Sequence, residues 1–162
     1  MKKKNKEKEK ALVDDKKNND EEFKIMAMNT EIEKWSNFIR SNYGDEIKIF
    51  DYCKDLNHTY KHREGKWHIY SFWQNDNDKS LKIGVAGPNS KARFMTHHYN
   101  PNSSGSNLAK SILKSGLCSK NPGEWITNNT YRINVVFDNI TKLIAYALEA
   151  HLHFVYNPIY EK

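Results

Sequence analysis

The chain is poor in cysteine. It has only Cys53 and Cys118, and neither belongs to a Cys-x-x-Cys pair or a disulfide framework. A reducing, cytoplasmic compartment is therefore the expectation. Long apolar runs are also missing. None approaches the roughly 20 residues needed to span a bilayer, so a membrane is not an expected partner. The N-terminus, MKKKNKEKEK, carries charge with no hydrophobic core behind it, unlike a secretory signal. No internal repeat is visible.

What is present is charge and aromatic side chain. Charged residues make up 28% of the 162, aromatics 12%, and the hydrophobic fraction is 38%. That is polar for a globular protein but too aromatic for a wholly disordered one. The net charge is +6; the first 24 residues hold nine Lys against seven Asp or Glu, which leaves +4 for the remainder. Such an excess suits a nucleic-acid partner without requiring one. Residues 1–25 have too little apolar surface to offset chain entropy and read as a disordered Lys-rich tail. Residues 26–63 read as a helical and strand N-terminal extension, and 64–162 as a single domain.

Local patterns place the elements. Thr30 and Glu33 have capping-box spacing, Ile32, Trp35 and Ile39 recur at helical intervals, and Gly44 stands where that helix can end. EIKIFDY (46–52) reads as a strand or edge element. KWHIYSFW (66–73) and SLKIGVAG (80–87) flank the turn residues QNDND and predict a β-hairpin. A helix is expected over Lys91–His98, a loop over 100–107, a short helix over 108–116 and a turn at NPG (121–123). TYRINVVFD (130–138) reads as a strand that pairs with the hairpin. ITKLIAYALEAHLHF (140–154) reads as a helix with apolar stripes Leu143/Ala147/Ala150 and Ile144/Leu148/Leu152. The expected class is α/β (α+β), a small three-stranded antiparallel sheet flanked by helices.

Several polar residues stand where folding does not ask for them: Tyr70 and Lys82 on the hairpin, Arg93 and His97 one turn apart, Glu149 in an apolar helix, and Asn157 before Pro158. Each has a plain reading by itself, as a half-buried strand tyrosine, a solvent-facing lysine, a polar helix face, a Glu149–His153 pair or a turn residue. A second group, Cys53, His58, His62 and His68, with His151 and His153 elsewhere, invites zinc, but its spacing matches no common finger.

The ordered set His68-Ile69-Tyr70, Lys82-Ile83-Gly84, Arg93-x-x-x-His97, Glu149 and Asn157 resembles the GIY-YIG nuclease superfamily over residues 66–158. His68 replaces the first motif's glycine and Lys82 the second motif's tyrosine; Lys at that position occurs in restriction-enzyme-like and phage-type branches. The resemblance implies a divalent-metal-dependent endonuclease acting on double-stranded DNA as a monomer or homodimer. Tyr70 is then the general base, Lys82 the cation that favours its phenolate, and His97 its orienting or relaying partner. Arg93 clamps the scissile phosphate, and Glu149 holds one Mg²⁺ or Mn²⁺. Lys91, Lys110, Lys114, Lys120 and Arg132 are candidate phosphate contacts, and Asn157 a DNA-side residue. The alternative is a non-catalytic DNA-binding module with the same fold.

Overall fold

A computed structural model describes residues 28–42, 44, 47–77, 79–105 and 107–160. The expected tail, residues 1–25, lies outside them. The chain divides into two units, Met1–Phe38 and Ile39–Lys162, and the division falls within helix α1 (28–42). The backbone is already helical at Met28, so Thr30 sits inside the helix and not at its cap. Past its end, Gly44 N–H donates to Arg40 O at 3.1 Å.

The larger unit is built on an antiparallel sheet of four strands, not three: β1 (Lys48–Asp55), β2 (Trp67–Gln74), β3 (Ser80–Ala86) and β4 (Thr130–Asn139), in the order β1-β4-β2-β3. The added strand is β1. Its alternation reads as an edge element, and it pairs with β4 from Lys48↔Asn139 to Asp55↔Arg132. Strand β4 pairs with the hairpin as expected, with Tyr70 opposite Asn134. Being central, β4 is rich in β-branched and aromatic residues that pack on both faces.

Four further helices lie in this unit among the described residues. Helix α2 (Lys91–Met95) is shorter than expected. Thr96 leaves helical geometry at φ −131°, and a 3₁₀ turn, His97–Tyr99, follows. Arg93 and His97 therefore do not share one helical face. Helix α3 (Leu108–Ser115) is capped by the Asn107 side chain, which accepts from Lys110 N–H, and ends at left-handed Gly116. NPG does not make a turn but opens helix α4 (Pro122–Asn129), since a proline in the first turn needs no N–H partner. Helix α5 (Lys142–Tyr156) starts at Thr141, whose side chain accepts from Ile144 N–H, and ends at left-handed Asn157.

Strand alternation separates two faces. Tyr70, Phe72 and Ala86 pack with Phe94, Leu108, Ala109, Ile112 and Ile126 from α2, α3 and α4. On the other face Trp67 meets Tyr146 and Trp73 meets Tyr156, both from α5. Of the two apolar stripes on α5, Leu148 and Leu152 are buried with Ala145, whereas Leu143 is exposed.

Strand β3 is an edge, and α5 with the C-terminal segment satisfies its backbone. Val85 N–H donates to Glu149 Oε1 and Ile83 O accepts from His153 Nε2, each at 3.0 Å. Ile159 and Tyr160 N–H donate to Ser80 and Leu81 O, also at 3.0 Å. Covering an edge in this way blocks pairing with another chain.

Candidate active site

The hairpin sets Tyr70 directly opposite Gly84. The tyrosine ring lies across the glycine: a Cβ at position 84 would stand 2.4 Å from Tyr70 Oη. Strand β3 thus carries glycine at position 84 because the neighbouring tyrosine occupies the side-chain space. Tyr70 is fully buried, and its hydroxyl bonds to His98 Nε2 at 2.7 Å. Phe94, on α2, meets the Tyr70 ring edge-on at 5.7 Å between centroids.

Around this hydroxyl the fold gathers three ionisable groups. Lys82 is on the same sheet face as Tyr70, opposite Phe72, and only 3% exposed. Arg93 comes from α2, and Glu149 reaches in from α5 past the β3 edge. Burial pushes the Tyr70 phenol up to about 12, while the charge and hydrogen bonding of Arg93 oppose the rise. Burial and the Arg93 charge hold the Lys82 amine down at about 8, against the pull of Glu149. Glu149 is raised by burial and partly restored by His153, Arg93, the Val85 N–H and Lys82. Burial opposes the charge on Arg93, but Tyr70, Glu149 and Tyr146 outweigh it and strengthen the guanidinium. Tyr70, Lys82, Arg93 and Glu149 thus form one electrostatic cluster at the β3 edge.

The histidine that reaches Tyr70 is His98 and not His97. Because α2 stops at Met95, the 3₁₀ turn carries His98 inward and leaves His97 on the rim of a pocket. That pocket, about 340 Å³, is bounded by Arg93, His97, His98, Ser104 and Gly105. Burial, with Lys82 and Arg93 nearby, drives His98 down to about 3, so the ring is neutral near pH 7. The adjacent His-His pair is the only signal in the sequence, and it does not say which ring turns inward. Tyr146, close enough to Arg93 to favour its charge, carries no sequence signal.

The candidate phosphate contacts divide. Lys91, Lys110, Lys114 and Lys120 are exposed. Arg132 is buried on β4 and cannot meet a backbone phosphate from there. Asn157 is exposed and ends α5 at φ +42°, its N–H bonded to His153 O. The histidines of the zinc-like group serve the fold: His58 bridges Tyr99 Oη at 2.9 Å and Thr130 O at 2.8 Å, and His68 Nε2 accepts from Arg63 N–H. Among the described residues no three His, Cys, Asp or Glu side chains converge as a metal shell. No helix there is long and apolar enough to cross a membrane.

No protein-family model, curated protein or solved structure matches the chain.

Proposed function

We propose that the protein is a divalent-metal-dependent endonuclease that hydrolyses phosphodiester bonds in double-stranded DNA. The observation that carries the reading is the Tyr70 hydroxyl, held by His98 and facing the opposed charges of Arg93 and Glu149. The motif order that resembles GIY-YIG nucleases supports it independently.

Cleaving a phosphodiester calls for a base, positive charge on the developing phosphorane and help for the leaving oxygen. Arg93 supplies the charge through its planar fork, moving onto the phosphate as DNA enters and uncovering Tyr70. Tyr70 takes the proton of the attacking water. With its phenol near 12 and the Lys82 amine near 8, the reactive state is this pair lacking one proton. Above about pH 8 that state is fully populated, with Lys82 as the resting site of the vacancy. Neutral His98 fixes the phenol's direction. Glu149, aimed by the Val85 N–H, fits a hard cation, because one carboxylate completed by phosphate oxygens and water is a shell Mg²⁺ accepts. Bound there, Mg²⁺ or Mn²⁺ supplies Lewis-acid stabilisation of the leaving oxygen.

The full burial of Tyr70 favours a second reading, a DNA-binding module without chemistry. Supercoiled plasmid incubated with Mg²⁺ or Mn²⁺ separates the two. Nicking by wild type and its loss in Tyr70→Phe are expected. Salt-sensitive binding with wild type and Tyr70→Phe equally inert on several DNAs would overturn the endonuclease.

A further inference from the structure

Arg132 is 1% exposed on β4, facing α2, and a guanidinium buried so deeply needs both a counter-charge and acceptors. One terminal nitrogen donates to Asp55 Oδ2 at 3.2 Å and Tyr60 O at 3.1 Å, and the other donates to Phe94 O at 3.0 Å. The guanidinium also lies over the Phe94 ring, 4.4 Å from its centroid. Asp55 is itself buried, and its two oxygens accept from Thr59 and Tyr60 N–H, each at 2.8 Å. One planar fork therefore ties β4 to the segment after β1 and to α2.

Helix α2 has the greatest need of such a tie. It has five residues and no side-chain cap bond, and a helix so short has no stability of its own. It is attached by the buried Phe94 side chain, by Met95 packed against the same core, and by the Phe94 carbonyl held by Arg132. Arg93, the phosphate clamp proposed above, is the preceding residue.

We propose that Arg132, backed by Asp55, is a positioning residue of the active site: it fixes α2 and so directs Arg93 at Tyr70 and the phosphate. This inference rests on the endonuclease reading. The fork matters more than the charge, because a lysine ammonium is a point charge that cannot span Asp55 and Phe94 O together. An ion pair that merely stabilises the core differs in one respect, since its effect is independent of Arg93.

The test is a double-mutant cycle of Arg132→Lys and Arg93→Ala, read as single-turnover plasmid cleavage at saturating protein, with DNA affinity measured separately. Arg132→Lys is expected to slow cleavage roughly 30-fold or more, since a small misplacement near the chemistry can cost about 100-fold, while Kd changes less than about threefold. In the Arg93→Ala background the same change is expected to cost less than about threefold. Asp55→Asn serves as a second variant with the same pattern, and circular dichroism sets the folded fraction for each. Losses that multiply across the two positions overturn the positioning role and leave the endonuclease intact. A wild type that cuts no DNA overturns both.

Discussion

Under α5 the sheet presents Ile69, Ile83, Val85, Ile133 and Val135; under α2 and α3 the alternate positions of the same strands are His68, Tyr70, Lys82, Arg132 and Asn134. All ten are buried. The first face has only to exclude water. On the second, removal from water pushes Tyr70, Lys82, His68 and the neighbouring His98 towards their neutral forms, Tyr70 up and the other three down. Glu149, at the edge where the two faces meet, is likewise raised by burial. Strand alternation lets one sheet keep a dry anchor on one side and a weakly screened ionisable cluster on the other.

Two substitutions cross the comparison. Arg93→Ala is expected to lower cleavage by roughly 1000-fold or more, the usual scale for an arginine acting on a phosphoryl transition state. Arg93 is exposed but also offsets the burial of Tyr70 and Glu149, so its loss should lower the thermal midpoint by a few degrees at most. Leu152→Ala, on the buried α5 stripe, is expected to cost about 2–5 kcal/mol in denaturant unfolding. Cleavage per folded molecule should then stay within about twofold. Equal losses of activity from both would break the division between the faces.

Gly84→Ala comes next. Its Cβ would meet the Tyr70 ring at 2.4–2.8 Å, on atoms that packing against Phe72, Phe94 and His98 holds in place. A ring displaced by about 1 Å should cost on the order of 100-fold in cleavage, with DNA affinity nearly unchanged. Cleavage assays and gel-shift binding on the same preparation check it.

A smaller, graded effect follows from pH. In the proposed reaction the active state lacks one proton across Tyr70 and Lys82, so below about 8 each unit fall in pH should remove a larger share of it, up to tenfold. Cleavage should therefore rise with pH and level off above about 8. Arg93 from α2, Glu149 from α5 and His98 from the 3₁₀ turn surround this pair, and of these only Glu149 pulls Lys82 upward. Lys82→Met removes the group that lies near 8 and leaves the phenol near 12, so the rising limb should move well above pH 8. A pH–rate profile for both proteins decides it, and an unmoved limb would assign the ionisation elsewhere.

The strands and the long last helix are legible in the sequence because their signals are local. Alternation marks β2, β3 and β4, and Gly116 and Asn157-Pro158 mark helix ends, though Thr30 lies inside α1 and Pro122 opens a helix where the NPG tripeptide suggests a turn. Residues 46–52 read as a strand, but pairing with β4 is a long-range fact, so the fourth place in the sheet is invisible to a local pattern. The site is readable as an ordered set of residues, and the fold brings Tyr70, Lys82, Arg93 and Glu149 together. The inward histidine and the place of Arg132 are not readable. The first depends on where α2 stops, at Thr96, and the second on the central place of β4, which buries Arg132 among Asp55, Tyr60 and Phe94.

The least effect is expected from the exposed lysines, and it tests where DNA lies. Lys110 and Lys114 are one turn apart on α3, opposite Leu108, Ala109 and Ile112, which are buried. They belong to the helix-covered side of the sheet, the side that holds Tyr70. If duplex DNA approaches Arg93 across that side, the two lysines meet backbone phosphates and bear on affinity without reading sequence. The double change Lys110→Ala/Lys114→Ala should weaken binding several-fold at moderate salt. It should also flatten the plot of log affinity against log salt by about 1.8, or about 0.9 for each phosphate that is no longer neutralised. Single-turnover cleavage at saturating protein should not change, since neither residue belongs to the cluster. An unchanged salt slope would put the DNA elsewhere, and the pocket rim at His97 and Ser104 would be the next surface to mutate.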